Sequence, residues 1–187
     1  MARTKIGAER REGILAAFEV CVVRKGLAKT TLVDVAEEAG QPRSLVRYFI
    51  GNRDAMVTAL IDRLLERGEV QFGQMPQGGT AQQAIDVVFD QIFADETTNI
   101  VIMELWHLSL RDAALRARLA AIYDRVIFKI AALVDGLDPR DRAFSAVALV
   151  FGATFFRHLG VGPVRNDLVR TASHSLLKSA HLIQTGV

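Results

Sequence analysis

From about Ala8 to Arg24, apolar residues recur at helical intervals. Ile14, Leu15, Phe18, Cys21 and Val22 fall on one face, while Arg11, Glu12, Glu19 and Lys25 fall elsewhere. That spacing predicts an amphipathic helix, and Gly26 supplies a C-terminal stop. Thr31 then offers an N-cap, with Asp34 three residues on in the place where a capping box puts Glu or Gln. The helix it opens, Leu32–Ala39, is expected to bury Leu32, Val35, Ala36 and Ala39 and to halt at Gly40. Pro42 suits the first position of a third helix, where its missing N–H costs nothing. This helix runs only to Tyr48 or Phe49, with Val46 inward and Phe49 beside it, before Ile50-Gly51-Asn52 interrupts. Asn52 caps a longer helix from Arg53 to about Phe72, whose stripe is Met56, Val57, Leu60, Ile61, Leu64 and Leu65.

GQMPQGG at 73–79 is the clearest linker in the chain. Beyond it Thr80 and Gln83 form a second capping box and open a helix to about Ala94. Another helix is expected from about Thr98 to Leu110. A long one follows from Asp112 to about Asp135, striped by Leu115, Leu119, Ile122, Val126, Ile130 and Leu133. Asp138-Pro139 reads as a cap followed by proline at the first helical position, launching a helix to Leu159. After GVGP a last helix runs from about Asn166 to Gln184. The pattern is all-α, with about nine helices and no internal repeat.

Composition narrows the class. Half of the 187 residues are hydrophobic, which argues against disorder. The longest uncharged run near the C-terminus, Ala143 to Phe156, is too short for a membrane helix, which needs roughly 20 residues. The charged start MARTKIGAERREG has no apolar segment of the signal-peptide kind. A single cysteine, Cys21, excludes an internal disulfide and fits a reducing compartment, so a cytoplasmic protein is expected. Net charge is only +2, but residues 1–53 hold 10 Lys/Arg against 6 Asp/Glu (+4), and 54–187 hold 13 against 15 (−2). A basic head on a slightly acidic body suggests a polyanion partner for the head alone.

The second and third helices, joined by a short glycine-containing turn, have helix-turn-helix spacing. In that motif the second helix enters the major groove and its N-terminal residues reach base edges. Arg43 and Ser44 stand at the front of this helix, and Arg47 lies one turn on from Arg43. Arginine suits bidentate contact with guanine and serves phosphates equally well. The candidate DNA-binding set is Thr30, Thr31, Pro42, Arg43, Ser44, Arg47, Tyr48 and Arg53. Thr31 and Arg53 stand at helix starts suited to phosphate.

Arg11 to Met56 resembles the N-terminal domain of the TetR/AcrR family of bacterial transcriptional regulators. The resemblance rests on Ile14-Leu15-Ala16-Ala17-Phe18, Gly26, Thr30-Thr31, Val35-Ala36, Ala39-Gly40, Tyr48-Phe49 and Asn52-Arg53-Asp54-Ala55-Met56, in order and without gaps. It covers about the first third of the chain. Four positions depart from the family pattern: Gln41-Pro42 replaces Val-Ser, Arg47 stands where tyrosine is frequent, and Ile50 where phenylalanine is. They bear on base preference rather than on the fold. The resemblance implies a helix-turn-helix head at 1–53, a connecting helix at 54–72, and a variable body at 80–187 that dimerises and binds a small-molecule effector. Its partner would be a double-stranded, pseudo-palindromic DNA operator.

The residues of the body support the same expectation independently. Between Arg142 and Arg157 the helix from Pro139 to Leu159 carries no charge, and Phe144, Val147, Val150, Phe151, Phe155 and Phe156 surround it. A helix apolar all round needs cover on more than one face. A homodimer is expected, built as a four-helix bundle from this helix and the last one of each copy. Ala148, Phe151, Gly152, Phe155, Leu176 and Ala180 are its candidate interface residues.

Phe89, Phe93, Met103, Trp106, His107 and Tyr123 are candidate pocket residues, an aromatic set with few polar groups. Glu104 lies nearby, and the segment ELWHLSLRDAALRARLAAIYDRV is faintly similar to the matching part of choline-responsive betaine regulators. An aromatic cage with Glu104 would favour a cation. His107, His158, His174 and His181 have no metal-ligand spacing. No nucleophile elbow, phosphate loop or catalytic carboxylate pair is present. No cofactor, metal or enzymatic activity is therefore expected. Two rival functions remain open: an architectural DNA-binding protein without a responsive pocket, and a helical small-molecule carrier or enzyme.

Overall fold

The structure is a computed structural model that describes residues 2–74, 78–93, 96–162 and 165–178. Among them are nine helices: α1 (Ala2–Lys25), α2 (Leu32–Glu38), α3 (Arg43–Ile50), α4 (Arg53–Gly73), α5 (Ala81–Phe93), α6 (Glu96–Ser109), α7 (Ala113–Ala131), α8 (Pro139–His158) and α9 (Asn166–Leu177). No strand occurs among the described residues. No helix there is long and apolar enough to cross a membrane.

Side-chain caps fix three of the helix starts. Thr31 and Asp34 form the reciprocal capping box expected of them. Thr80 and Gln83 do the same, Thr80 N–H donating to Gln83 Oε1 at 2.8 Å and Gln83 N–H to Thr80 Oγ1 at 3.2 Å. Asn52 Oδ1 accepts from Ala55 N–H at 2.9 Å. α1 begins well before Ala8, because its polar first turns carry good helix formers but no apolar stripe to betray them. α7 stops at Ala131, short of Asp135. Leu133 and Val134 then bond back three residues, a tighter turn that buries Val134 and leaves Leu133, expected on the inward stripe, exposed.

One expected start and one expected side-chain cap are corrected. Pro42 occupies the N-cap of α3 rather than its first turn, with an extended ψ of 139°. Asp138 precedes α8 in the left-handed region at φ 52°, and its side chain makes no cap bond. Its backbone carbonyl still accepts from Arg142 N–H; Pro139 at the helix start has no N–H to satisfy.

The chain divides into two compact units. The first comprises Met1–Glu69 and Glu96–Arg116, and the second Val70–Asp95 and Ala117–Val187. In the first, the whole expected face of α1 is buried with Leu27, Val35, Val46 and Ile50. Segment 96–116, counted above with the body, belongs to this unit, where α6 packs on α1. Glu19, also buried, faces α4 and pairs with Arg63 and Arg67.

In the second unit, α5, α8 and α9 enclose a core that includes Ile85, Val88, Phe89, Ile130, Val147, Val150 and Leu177. Arg170 of α9 binds Asp86 at 2.6 Å, also pairs with Asp90, and lies 4.2 Å over the Phe89 ring.

Candidate nucleic-acid interface

α2 ends in a Schellman-type turn: Gln41 N–H bonds Ala36 O and Gly40 N–H bonds Glu37 O, with Gly40 at φ 59°. The chain thereby reverses within a few residues and α3 starts beside α2. α3 is strongly two-sided. Val46 and Ile50 are buried, whereas Pro42, Arg43, Ser44, Arg47 and Tyr48 are exposed. Ile50, not Phe49, is the second inward anchor; Phe49 is half-buried. Gly51 closes the helix at φ 87°, and a Cβ there would sit 2.9 Å from Ala55 Cβ, so the step into α4 requires glycine.

The outward face of α3 has the chemistry of a base-reading surface. Arg43 and Arg47 form no ion pair among the described residues. Tyr48 is 80% exposed, its ring edge-on to Phe49 at 5.2 Å.

Elsewhere the head's positive charge is partly neutralised. Arg24 pairs with Glu38 and Lys25 with Asp34. Lys25, with help from the Thr31 cap, holds the Asp34 carboxyl down to about 2. α3 itself carries two arginines and no acidic residue, a local balance that charge counting over the whole head does not reveal.

Two residues of the expected DNA-binding set are turned to other work. Thr30 is buried, and its hydroxyl donates to Gly26 O at 2.9 Å, so it offers nothing to a groove. Arg53 donates from Nη1 to Thr30 O at 2.8 Å and from Nη2 to Leu27 O at 2.6 Å. Its guanidinium braces the turn between α1 and α2. Thr31 stays exposed at the start of α2, with its hydroxyl engaged by Asp34.

The six expected pocket residues are divided between the units. In the first, Met103 and Trp106 are half-buried, and His107 is exposed with Nε2 3.2 Å from Arg111. In the second, Phe89 is core beneath Arg170, and half-buried Tyr123 meets Phe151 edge-on at 5.3 Å. The side chain of Phe93 lies outside the described residues. Glu104, expected beside an aromatic cage, instead accepts from Leu27 N–H at 2.6 Å. An open groove of about 580 Å³ in the first unit, lined by Ile6, Glu9, Arg10, Val20, Glu38 and Gln41 among others, includes none of the expected pocket residues.

On the second unit, α8 buries Ala143, Ala146, Val147, Val150 and Thr154. Phe144, Ala148, Phe155, Phe156 and Leu159 are exposed, as are Leu168, Ala172 and Leu176 of α9. Phe151 and Gly152 are intermediate, and Phe151 packs against the core as well. Ala180 lies outside the described residues.

No protein-family model matches the chain. Two Pseudomonas putida proteins, ArpR and TtgR, are each 31% identical to it over 112 residues, which is 56% of this chain and 53% of theirs. TtgR is described as an HTH-type transcriptional regulator and ArpR is assigned the same role. The chain thus spans about half the length of the curated relatives it matches. A Rhodococcus sp. protein assigned to the TetR family of transcriptional regulators superposes with a TM-score of 0.75 at 21% identity, over 90% of this chain and 97% of that one. A Saccharomonospora viridis protein assigned as a transcriptional regulator, solved in complex with choline, gives 0.72 at 17% identity over 90% and 95%. The helix-turn-helix geometry, the sequence match over about half the chain and the structural superpositions agree: the chain has the all-helical fold of TetR-family regulators.

Proposed function

We propose that this chain is a ligand-responsive, sequence-specific DNA-binding transcriptional regulator, and not an enzyme: a repressor that a small molecule releases from a pseudo-palindromic operator. The observation that carries this is the outward face of α3, where Arg43, Ser44, Arg47 and Tyr48 stand exposed over the buried anchors Val46 and Ile50. Arg43 and Arg47 would read base edges or phosphates, Ser44 and Thr31 would meet phosphate, and Tyr48 would pack on the backbone or a thymine methyl.

The protein would act as a homodimer. The exposure of Phe144, Phe155 and Phe156 of α8 and of Leu168 and Leu176 of α9 in the single chain supports a four-helix-bundle interface. Such a dimer places two recognition helices about 34–36 Å apart, the repeat of successive major grooves. The structural neighbour solved with choline supports a body that takes a small organic molecule. Effector binding would favour a head spacing unsuited to the operator, with a coupling of roughly 1–3 kcal/mol.

Fluorescence anisotropy on labelled duplexes from beside the protein's own gene, with a scrambled control and at two salt concentrations, tests the reading. A specific regulator prefers one native duplex by roughly 10³-fold or more. Equal, salt-sensitive binding to both duplexes identifies an architectural protein, and no binding at low salt rejects a DNA role. Within the same assay, Arg47→Ala should weaken operator binding by about 1–3 kcal/mol or relax its base preference while the dimer persists. An unchanged affinity and sequence profile removes Arg47 from the interface.

A further inference from the structure

Leu27 lies in the turn between α1 and α2, and both of its backbone groups are held by side chains from distant elements. Its N–H donates to Glu104 Oε2 of α6 at 2.6 Å. Its carbonyl accepts from Arg53 Nη2, at the start of α4, at 2.6 Å. The other end of the same guanidinium holds Thr30 O, one residue before the α2 cap. The Leu27 side chain is buried and anchors the turn from within.

The fit around the carboxylate is close. Gly26 adopts φ +79°, and a Cβ built there would meet Glu104 Oε2 at 3.3 Å. α6 also has a particular place in the chain. It belongs to the first unit, yet the residues before Glu96 and after Arg116 belong to the second.

We propose that Glu104 is a positioning residue for DNA binding. By holding Leu27 N–H it sets the α1–α2 turn and, through Arg53, the start of α4, on either side of the helix-turn-helix. A displacement of α6 by about 1 Å is enough to take a 2.6 Å contact beyond hydrogen-bond range, so a small shift becomes a discrete loss. This inference rests on the regulator reading above.

The test joins amide hydrogen exchange at Leu27 to operator anisotropy, for the wild type, Glu104→Ala, Glu104→Gln, Arg53→Ala and the double alanine variant. Glu104→Ala should speed exchange at Leu27 and weaken operator binding, each by about tenfold, while Glu104→Gln, which keeps an acceptor oxygen, stays within about threefold of wild type. Because both side chains act through one residue, the double variant should lose less than the product of the two single losses.

Unchanged exchange at Leu27 in Glu104→Ala overturns the proposal. So does faster exchange with unaltered operator affinity, which would leave Glu104 a merely structural contact. If Glu104→Ala does not fold, a loss of about threefold or less in Arg53→Ala together with wild-type behaviour in Glu104→Gln also overturns it. A wild type that binds no duplex sinks the regulator reading and this inference with it, before any variant is compared.

Discussion

Phe155→Arg should convert the proposed dimer to monomer without unfolding the chain. In the single chain Phe155 keeps 45% of its surface exposed, and its ring meets Phe156 at 6.0 Å. Burying a whole phenylalanine is worth about 1.5–3 kcal/mol, so covering the exposed half contributes about 0.7–1.5 kcal/mol per copy. A two-fold interface uses the residue twice, which gives about 1.5–3 kcal/mol per dimer. Arginine removes that contribution and adds two like charges at one buried seam, a further cost of a few kcal/mol. The dimer dissociation constant should rise by at least about 100-fold. Sedimentation velocity at micromolar concentration reads this directly, with circular dichroism to check that helix content is unchanged. Phe151→Arg is a poorer choice, since Phe151 also packs on Tyr123 and the core, and its loss would damage the unit itself. A Phe155→Arg chain that sediments as the same dimer with the same dissociation constant would refute the assignment of this face.

Two further perturbations probe the head. Glu19→Ala leaves Arg63 and Arg67 without their buried counter-charge and should cost about 2–4 kcal/mol, lowering the melting temperature by roughly 5–15 °C. Arg67→Ala should cost less, because Arg63 still faces Glu19; equal losses for the two variants would show that the pair is not arranged as described. Cys21 is buried, and burial pushes its thiol up from the ordinary value. It should resist thiol reagents at neutral pH until denaturant opens the head; immediate stoichiometric labelling of the folded protein would contradict that placement.

What the sequence by itself determined is local. The capping boxes at Thr31 and Thr80, the Asn52 cap and the inward face of α1 all follow from interactions within a few residues, and each stands where the pattern put it. The helix-turn-helix could be read for the same reason, since its turn and its two amphipathic faces are encoded within about twenty residues. The surplus of apolar surface on α8 was equally visible, as a count that one core could not absorb.

Only the tertiary structure decided how that surplus divides, burying Ala143, Ala146, Val147 and Val150 and leaving Phe144, Phe155 and Phe156 outside. It likewise turned Thr30 inward, assigned Arg53 to carbonyls 23 and 26 residues away, and brought Glu104 to an amide 77 residues away. Periodicity reports which face of a helix is apolar, but not which distant backbone group meets a polar side chain. That choice follows from the packing of whole helices, because an arginine or glutamate at a helix surface can serve solvent, nucleic acid or a buried N–H equally well until its neighbours are in place.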